Sequence, residues 1–287
     1  MTDASQGLEA WIGTSRVAED VVSLRRARAL AATLDRPPDA LREGDPLPAG
    51  WHWIYFNELT ARSEVAADGH AERGGFLPPV PHPHRMWAGG RLLFPGVLRI
   101  GAAASRTSTI EAIEAKEGRS GPLVFVTVGH EISTEDGIAI DEQIRLVYLT
   151  RDKGASAPRS TDDGTAAPDW TETFTADEVT LFRFSALTLN SHRIHYDHPY
   201  ATQVEGYPGL VVHGPLIALL LLDAGVRHAP PDATASVFTY RARGPLFCGE
   251  EFRIEGTGST EVDLAAVHPE RGTATTATLR LHPRATG

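Results

Sequence analysis

The feature that most constrains the fold is the segment at residues 214–223, GPLIALLLLD, which is apolar around its whole circumference. Pro215 suits the first turn of a helix and Gly225 suits a C-terminal cap, so the segment predicts a short helix with both ends marked. A helix that is apolar on every side must be buried on every side. The chain therefore has to provide a sheet that curls around this helix.

The strands of such a sheet are indicated by an apolar period of two on both sides of the helix. Before it, the predicted strands are 92–100, 106–115, 123–132, 138–148 and 178–185. After it, they are 235–242, 251–256, 262–267 and 273–282. KEGRSG, at 116–121, predicts a hairpin turn. Residues 8–34 instead repeat apolar side chains at intervals of three and four, which predicts a helix.

The order of turns and strands divides the chain into two α+β halves, each closing with several antiparallel strands. Residues 1–150 form the first half, 151–175 a polar, proline-bearing linker, and 176–287 the second half. Within the first half, residues 74–85 hold too many prolines for regular structure. The similar order of elements suggests an internal repeat, although the two halves share little sequence.

Composition excludes several classes of protein. A net charge of −10 argues against broad nucleic-acid or anionic-membrane binding, which needs a basic face. The single cysteine, Cys248, permits no internal disulfide and fits a reducing cytoplasm, where it is expected to pack as a small hydrophobic residue. The longest apolar run, 216–222, would cover only about 10 Å as a helix. With an N-terminus unlike a signal peptide, the chain is expected to be soluble and cytoplasmic.

A polar cluster stands just before the apolar helix, and it consists of Asn190, His192, His195, Asp197 and His198. A base delivered beside the free N–H groups and positive dipole of a helix N-terminus suits chemistry on an activated carbonyl compound. The spacing HxxHxxH also suggests a metal site. That alternative is disfavoured because no strong helix signal would bring the three rings to one face, and a proline follows closely.

The string FSALTLNSHRIHYD (184–197), followed by VVHGPL (211–216), resembles the motif of the MaoC-like hydratases. The resemblance is closest to the subgroup with two halves, the mesaconyl-C4-CoA hydratases and fungal-type hydroxyacyl-thioester dehydratases. FLPPVPHPHRMWAGGRL (76–92), SGPLVFVTVGHEI (120–132) and FTYRARGPLFCGEEF (238–252) are similar to it too. The resemblance implies a double hot dog fold of class α+β: two antiparallel sheets joined edge to edge, each around a helix, with the central helix best defined in the second half.

The implied reaction is the reversible hydration of a 2-enoyl thioester. His195 would be the general base and acid, and the Gly214 N–H would hold the thioester oxygen. The family motif has an aspartate where this chain has Asn190. An amide cannot take up a proton as a carboxylate does, so Asn190 is expected to orient water or substrate. No metal and no redox cofactor is expected, and the acyl carrier is expected to be CoA, with acyl-carrier protein as the alternative.

The subgroup resemblance further implies a short, branched dicarboxylic acyl group. Its carboxylate would pair with an arginine, either Arg193 or Arg85. The other predicted contacts to substrate or CoA are Arg91, Arg241, Arg243 and His213. The first half is expected to be noncatalytic and to form walls for the acyl chain and CoA, and a homodimer is the expected assembly.

Three alternatives stay open at this point. A general 3-hydroxyacyl-thioester dehydratase of fatty acid or polyketide metabolism would share the fold and the site. A thioesterase would use the same helix end but release a free thiol. A noncatalytic acyl-CoA-binding partner subunit would bind without turnover, and Asn190 is its best support.

Overall fold

The computed structural model describes residues 7–118, 121–150 and 167–283. The strands are β1 (Ser15–Val21), β2 (His84–Leu93), β3 (Ala103–Gly118), β4 (Gly121–Thr134), β5 (Gly137–Leu149), β6 (Trp170–Thr175), β7 (Ala233–Ala242), β8 (Glu251–Thr257), β9 (Glu261–His268) and β10 (Gly272–Pro283). The α-helices are α1 (Leu24–Thr33), α2 (Glu178–Thr188) and α3 (Gly214–Arg227). No helix of these ranges is long and apolar enough to cross a membrane.

The ten strands form one antiparallel sheet in the order β1-β3-β4-β5-β2-β7-β10-β9-β8-β6. Its first five strands follow the order first, third, fourth, fifth and second of their half, and the other five repeat that order from the opposite edge. The halves meet where Gly89–Leu93 of β2 pairs with Val237–Arg241 of β7. The prediction of two antiparallel sheets joined edge to edge is therefore confirmed, and so is the α+β class.

Helix α3 is the central helix of the second half. Nine of its residues are buried, and it packs against β7, β8, β9 and β10. The predicted end at Asp223 and the predicted cap at Gly225 are wrong. The helix continues to Arg227, whose side chain pairs with Asp223 one turn earlier at 2.9 Å. Gly225 lies inside the helix, where an added Cβ would come within 2.9 Å of the Leu279 side chain. Its lack of a side chain lets the helix approach the sheet.

The two halves differ in what lies between their first and second strands. In the second half this stretch contains α2 and α3. In the first half it contains α1 and, in place of a second α-helix, short turns such as the 3-10 turn Trp51–Ile54. Gly50, which precedes that turn, lies against Leu219 and Leu222 of α3. Within the described residues, only the second half therefore presents the N-terminus of a long central helix.

The helix predicted at 8–34 is only half right. Residues Ser15–Val21 form β1, an edge strand that pairs with β3 through its backbone. Its side chains alternate between exposed and half-buried, so the apolar residues at 17 and 21 do not belong to a helical face. Helix α1 begins only after Ser23, whose hydroxyl accepts a hydrogen bond from the Arg26 N–H at 3.3 Å.

The strand predicted at 178–185 is wrong, because these residues belong to helix α2. Asp177 caps that helix by accepting a hydrogen bond from the Thr180 N–H at 2.8 Å. Leu181, Phe184 and Ser185 are buried, with the spacing of one helix face. The end of the predicted linker is also structured, since Trp170–Thr175 forms β6 and pairs with β8. Residues 151–166 of that linker lie outside the described residues.

The strand predicted at 92–100 is misplaced. The strand there is β2, which starts at His84 and ends at Leu93, before Pro95 and Gly96. The strands predicted at 106–115, 123–132, 138–148 and in the last quarter of the chain are confirmed as β3, β4, β5 and β7 to β10. The predicted hairpin at 116–121 joins β3 to β4 with Gly118 opposite Gly121, and its two tip residues lie outside the described residues.

Candidate active site

His195 lies at the end of a 3-10 turn, Arg193–His195, and its side chain is buried. The Nδ1 atom is 2.7 Å from the backbone carbonyl oxygen of Val211. A carbonyl only accepts hydrogen bonds, so Nδ1 carries the proton and Nε2 keeps its lone pair. Among the described residues, Nε2 has no hydrogen-bond partner. This arrangement presents His195 as a base with a fixed tautomer.

The protonation state of His195 agrees with that role. Burial lowers the pKa of His195 to about 4, against the opposing effect of the hydrogen bond to Val211. The imidazole is therefore neutral at pH 7 and able to take a proton.

His213 supports the ring of His195 from behind. The two imidazoles are stacked, with centroids 3.7 Å apart and planes 18° apart. Nε2 of His213 lies 2.8 Å from the Ser185 hydroxyl on α2. Burial also lowers the pKa of His213 well below its usual value. Its side chain is completely buried, and its predicted contact with substrate or CoA stays a prediction.

Gly214, the first residue of α3, follows His213 directly. The Gly214 N–H is the first donor of the helix, and it has no acceptor in the described part of the chain. The next residue, Pro215, has no N–H. A Cβ added to Gly214 would lie 3.4 Å from Cβ of Trp87, which is ordinary contact. A free donor at the positive end of a helix, one residue from the ring stacked on His195, can stabilise a developing oxyanion.

One wall of this region is aromatic. Trp87 on β2 donates from Nε1 to the Tyr240 hydroxyl on β7 at 2.7 Å. Trp53 contacts the edge of Trp87 and donates to the buried carboxylate of Glu142 at 2.6 Å. These bonds hold both tryptophan side chains in place across the junction of the two halves.

Asn190 shapes the segment that carries the histidines. Leu189 ends α2 in the left-handed conformation with φ 51°, and the Asn190 N–H donates to the Ser185 carbonyl at 2.9 Å. The side-chain oxygen of Asn190 accepts a hydrogen bond from the His192 N–H at 3.0 Å. Asn190 thus orients the turn before His195, and its Oδ1 is already engaged within the protein.

Two residues that the sequence reading missed, Asp68 and His70, lie beside His192. The Asp68 Oδ2 atom is 3.1 Å from Nδ1 of His70, and the His70 and His192 rings are 4.0 Å apart. His192 in turn meets His195 edge-on at 5.5 Å. Sequence offers one local signal for this segment, the Asp-Gly turn at 68–69, and nothing that relates it to residues more than a hundred positions away.

Burial sets the charges of this group. Burial lowers the pKa of His192 to about 2 and also lowers that of His70. For Asp68, burial raises the pKa, but the hydrogen bonds from His70, together with the charge of its ring when that ring is protonated in acid, outweigh burial and leave the pKa below its usual value. At neutral pH the group therefore contains one anion and neutral imidazoles.

The HxxHxxH spacing does not bring its three histidines together, since His198 is exposed. The donor atoms that could share a metal ion are instead those of Asp68, His70 and His192, all within 4.8 Å of one another. These are ligand types that zinc accepts. The Asp68 carboxylate, however, already accepts hydrogen bonds from the backbone and ring of His70, at 2.9 and 3.1 Å.

Of the two arginines predicted to meet an acyl carboxylate, Arg193 is already engaged. It pairs with Asp197 at 2.7 Å and covers the ring of Tyr200 at 4.1 Å. Arg85 lies two residues before Trp87 on β2, on the same face of the strand. It makes no hydrogen bond or ion pair within the described ranges. Its nearby anion, Glu58, is bound by Arg16.

The other three arginines lie elsewhere. Arg91 and Arg241 are exposed and alternate with the buried Leu92 and Tyr240, so they face away from α3. Arg243 bonds the Thr276 hydroxyl at 3.4 Å on that outer face. The structure does not bring these three side chains to His195, and their predicted contact with CoA stays a prediction.

Comparisons with known proteins identify the family of the chain. A sequence profile described as hydroxyacyl-thioester dehydratase type 2 matches residues 50–248. The chain is 45% identical to mesaconyl-C(4)-CoA hydratase of Chloroflexus aurantiacus, over 95% of this chain and 97% of that protein. It is 27% identical to the mitochondrial hydroxyacyl-thioester dehydratase type 2 of Schizosaccharomyces pombe, over 76% of this chain and 80% of that protein.

Solved structures share the fold at low sequence identity. HtdX of Mycobacterium tuberculosis superposes with a TM-score of 0.66 at 17% identity, over 93% of this chain and 99% of that one. A MaoC-like dehydratase gives a TM-score of 0.70 at 13% identity, over 97% of this chain and 100% of that one. A further M. tuberculosis protein, described as a double hot dog, gives 0.55 at 14% identity, over 94% and 96% of the two chains. The profile match and the 45% identical relative show that this chain belongs to the hydroxyacyl-thioester dehydratase type 2 family.

Proposed function

We propose that this protein is a hydro-lyase that reversibly hydrates a 2-enoyl-CoA to a 3-hydroxyacyl-CoA. The proposal rests on two neighbouring features. One is a base, His195, whose tautomer is fixed, and the other is a backbone N–H without an acceptor in the described residues, that of Gly214, at the N-terminus of a helix. His195 keeps its Nε2 lone pair because Nδ1 is bound to Val211, and the Gly214 N–H is one residue from the ring stacked on His195. Family membership supports the same reaction class.

In the hydration direction, Nε2 of His195 removes a proton from water while the water oxygen bonds to the β carbon. The electron pair of the Cα–Cβ double bond moves toward the thioester, which becomes an enolate. The Gly214 N–H donates to that enolate oxygen. The protonated His195 then returns its proton to the α carbon, so one water is added and no other reactant is consumed. Dehydration is the reverse sequence.

No metal and no redox cofactor has a step in this proposal, because the thioester itself acidifies the α position. CoA is the proposed carrier, with acyl-carrier protein as the alternative.

The proposed substrate is a short, branched dicarboxylic enoyl-CoA of the mesaconyl-C4 type. The relative of 45% identity, a mesaconyl-C(4)-CoA hydratase, supports this choice. So does Arg85, a cation without an ion pair in the described residues, on the strand face that carries Trp87. A buried carboxylate is costly unless it is paired, and a guanidinium pairs it with two parallel hydrogen bonds.

A second candidate is a general 3-hydroxyacyl-thioester dehydratase. The family profile and the yeast relative support it, because both are described as hydroxyacyl-thioester dehydratases type 2. The two candidates share every catalytic step and differ in the acyl group that the pocket accepts.

One experiment tests the reaction and separates the rivals. The purified protein is incubated with a panel of enoyl-CoAs that includes mesaconyl-C4-CoA and crotonyl-CoA, and the products are analysed by mass. Addition of one water supports the hydratase. Release of free CoA thiol, detected with a thiol reagent, identifies a thioesterase. Tight binding of CoA esters without turnover identifies a noncatalytic binding subunit.

Assembly and location are proposed in the same way. A cytoplasmic location fits a chain with a single cysteine, and a homodimer is the proposed assembly. Sedimentation of the purified protein and fractionation of its host cell test the two statements separately.

A further inference from the structure

The segment that carries Asp68 and His70 is fastened to the segment that carries the histidine motif. The Arg193 N–H donates to the Asp68 carbonyl at 2.9 Å, and the Arg193 guanidinium donates to the Ala67 carbonyl at 3.0 Å. The Ser191 hydroxyl donates to the Gly69 carbonyl at 2.5 Å. These three bonds join the first half of the chain to the site of the second half.

Gly69 shows how close that approach is. Its φ is +95°, in the left-handed region, and an added Cβ would lie 1.8 Å from the Ser191 carbonyl oxygen. Only glycine satisfies both the backbone angle and the contact. The chain thus brings Asp68 and His70 as near to His192 as backbone packing allows.

The carboxylate of Asp68 fixes the His70 ring. Its Oδ1 accepts the His70 backbone N–H at 2.9 Å, and its Oδ2 lies 3.1 Å from Nδ1 of the ring. An ionised carboxylate only accepts hydrogen bonds, so Nδ1 of His70 carries the proton and Nε2 does not. The fixed ring packs at 4.0 Å on His192, which meets His195 edge-on.

The family motif places an aspartate at position 190, and this chain has an amide there whose oxygen is bound to the His192 N–H. We infer that Asp68 and His70, supplied by the first half, are positioning residues that provide the missing carboxylate and act on His195 through His192. The inference rests on the proposed hydratase function. It also assigns the first half a part in catalysis, whereas the sequence predicts a noncatalytic half.

The physical effect is twofold. The Asp68 anion holds the His70 ring in one tautomer, and His70 holds the His192 ring against His195. The titratable and charged groups that face this cluster come from five elements: Asp68, His70 and Arg73 from the 66–73 segment, Arg85 from β2, His192, Arg193 and His195 from the motif, Tyr200 from the turn Tyr200–Val204, and His213 from the N-terminus of α3. Asp68 is the anion among them.

The test is Asp68→Asn, which keeps the shape of the turn. The amide oxygen can still accept the His70 backbone N–H, but the amide nitrogen now faces Nδ1 and forces the ring into the other tautomer. We expect kcat to fall about tenfold with little change in KM. The pKa values of His70 and His192 should fall further, because the anion that raises both of them is gone.

Asp141→Asn is the control for loss of a carboxylate, since Asp141 is exposed on β5 and its side chain makes no hydrogen bond or ion pair in the described residues. It should leave kcat within about twofold and the pKa values of His70 and His192 unchanged. His70→Gln gives a second variant, and it should reproduce the loss of Asp68→Asn. The kcat of the double variant should be no lower than that of either single variant, because the two residues act as one unit.

A readout without substrate separates this inference from the proposed function. Histidine ¹⁵N NMR should show one ring with Nδ1 protonated that changes tautomer in Asp68→Asn, together with lower pKa values for the cluster. A wild type without hydratase activity would remove the proposed function, while the NMR would still decide the coupling. Unchanged tautomer and pKa values overturn the inference, as do variants with wild-type kcat. So does a stoichiometric metal ion in the wild type that Asp68→Asn loses.

Discussion

The imidazole of His195 lies flat against that of His213, 3.7 Å away, and His213 is the residue that precedes Gly214 at the N-terminus of α3. One residue therefore supports the ring of the proposed base and leads into the proposed oxyanion donor. The His213 ring is in turn held by Ser185 of α2 at 2.8 Å. The base and the donor are positioned by the same buried contact, so their relative geometry is set before substrate arrives.

Replacing His195 with alanine should abolish nearly all turnover. The described structure offers no second base with a fixed tautomer and an open Nε2 at that position. Such proton transfers typically contribute about 10²–10⁴-fold to the rate. Hydration rates with an enoyl-CoA, together with the melting temperature, check the expectation. A folded His195→Ala protein with a rate close to the wild type would contradict the mechanism.

Asn190→Ala should cost less than His195→Ala. The Asn190 side chain accepts one hydrogen bond, from the His192 N–H at 3.0 Å, and takes no proton in the reaction. Its loss leaves a turn less well held and the base intact. The comparison of kcat for the two variants under the same conditions is the measurement, and a larger loss for Asn190→Ala would give that amide a role in the chemistry itself.

Gly214→Ala should fold normally and lose activity. The new methyl group would meet Trp87 only at ordinary contact distance, 3.4 Å, so the free protein has room for it. The thioester oxygen must approach the Gly214 N–H closely, and the methyl group would obstruct that approach. We expect a fall in kcat of about 10²-fold, the size typical for loss of an oxyanion donor.

The control for this variant is Gly209→Ala, at a glycine with no atom within 4 Å of an added Cβ. Its activity should match the wild type. Equal activities for Gly214→Ala and the wild type, at equal melting temperatures, would mean that the thioester does not approach this helix end.

Acid should reduce stability before it reduces the fraction of active base. Burial lowers the pKa of His195 from 6.5 to about 4, and a histidine with a lowered pKa stabilises the fold above its unfolded pKa. That contribution is lost as the pH falls from about 6.5 to about 4. Thermal melts over this range should show a falling Tm, while kcat/KM should have its acid limb near pH 4. An acid limb near 6.5 would indicate a base that is exposed to solvent.

Periodicity predicted the strands whose two faces differ. Strands β3, β4, β5 and β7 to β10 alternate buried and exposed side chains, and each has the period of two in its sequence. The edge strand β1 has no buried side chain, and backbone hydrogen bonds to β3 hold it in place. Such bonds require no particular side chains, so the sequence of β1 shows no pattern of buried apolar residues. The sequence does not reveal helix α2, because apolar residues also lie on its exposed side. Val179 and Phe182 are exposed, so the apolar positions do not follow the helical period of the buried face.

The candidate site could be predicted where it is local. His195, His213 and Gly214 lie within twenty residues of one another, so the sequence shows them together. Asp68 and His70 reach His192 only through bonds between segments more than a hundred residues apart, such as Ser191 to Gly69. A single sequence contains no pattern for that contact. The sequence shows an asparagine at 190 where the family motif has an aspartate, but it does not show that the Asp68 carboxylate, bound to His70, lies in the group beside His192.

Exhaustive chelation should leave the rate and the melting temperature unchanged. The cluster of Asp68, His70 and His192 gives this prediction a defined location, because its donor atoms lie within 4.8 Å of one another. In the proposed chemistry these residues hold each other by hydrogen bonds and ring contacts, and no metal is required. Elemental analysis of the purified protein is the measurement. Stoichiometric zinc that leaves together with activity would make the cluster a metal centre.

Replacing Arg85 with methionine should remove a preference for a carboxylate-bearing substrate. Arg85 has no ion pair in the described residues, and methionine keeps much of its length without the charge. We expect the wild type to hydrate mesaconyl-C4-CoA far faster than crotonyl-CoA of similar size. Arg85→Met should lower the rate with mesaconyl-C4-CoA about 10²-fold, since an unpaired buried carboxylate costs several kcal/mol, and should leave the rate with crotonyl-CoA nearly unchanged.

Arg193→Met is the comparison variant. Arg193 is already paired with Asp197 at 2.7 Å, so its loss should affect both substrates alike. Equal or better wild-type rates on unsubstituted medium-chain enoyl-CoAs would assign the protein to the general dehydratases instead.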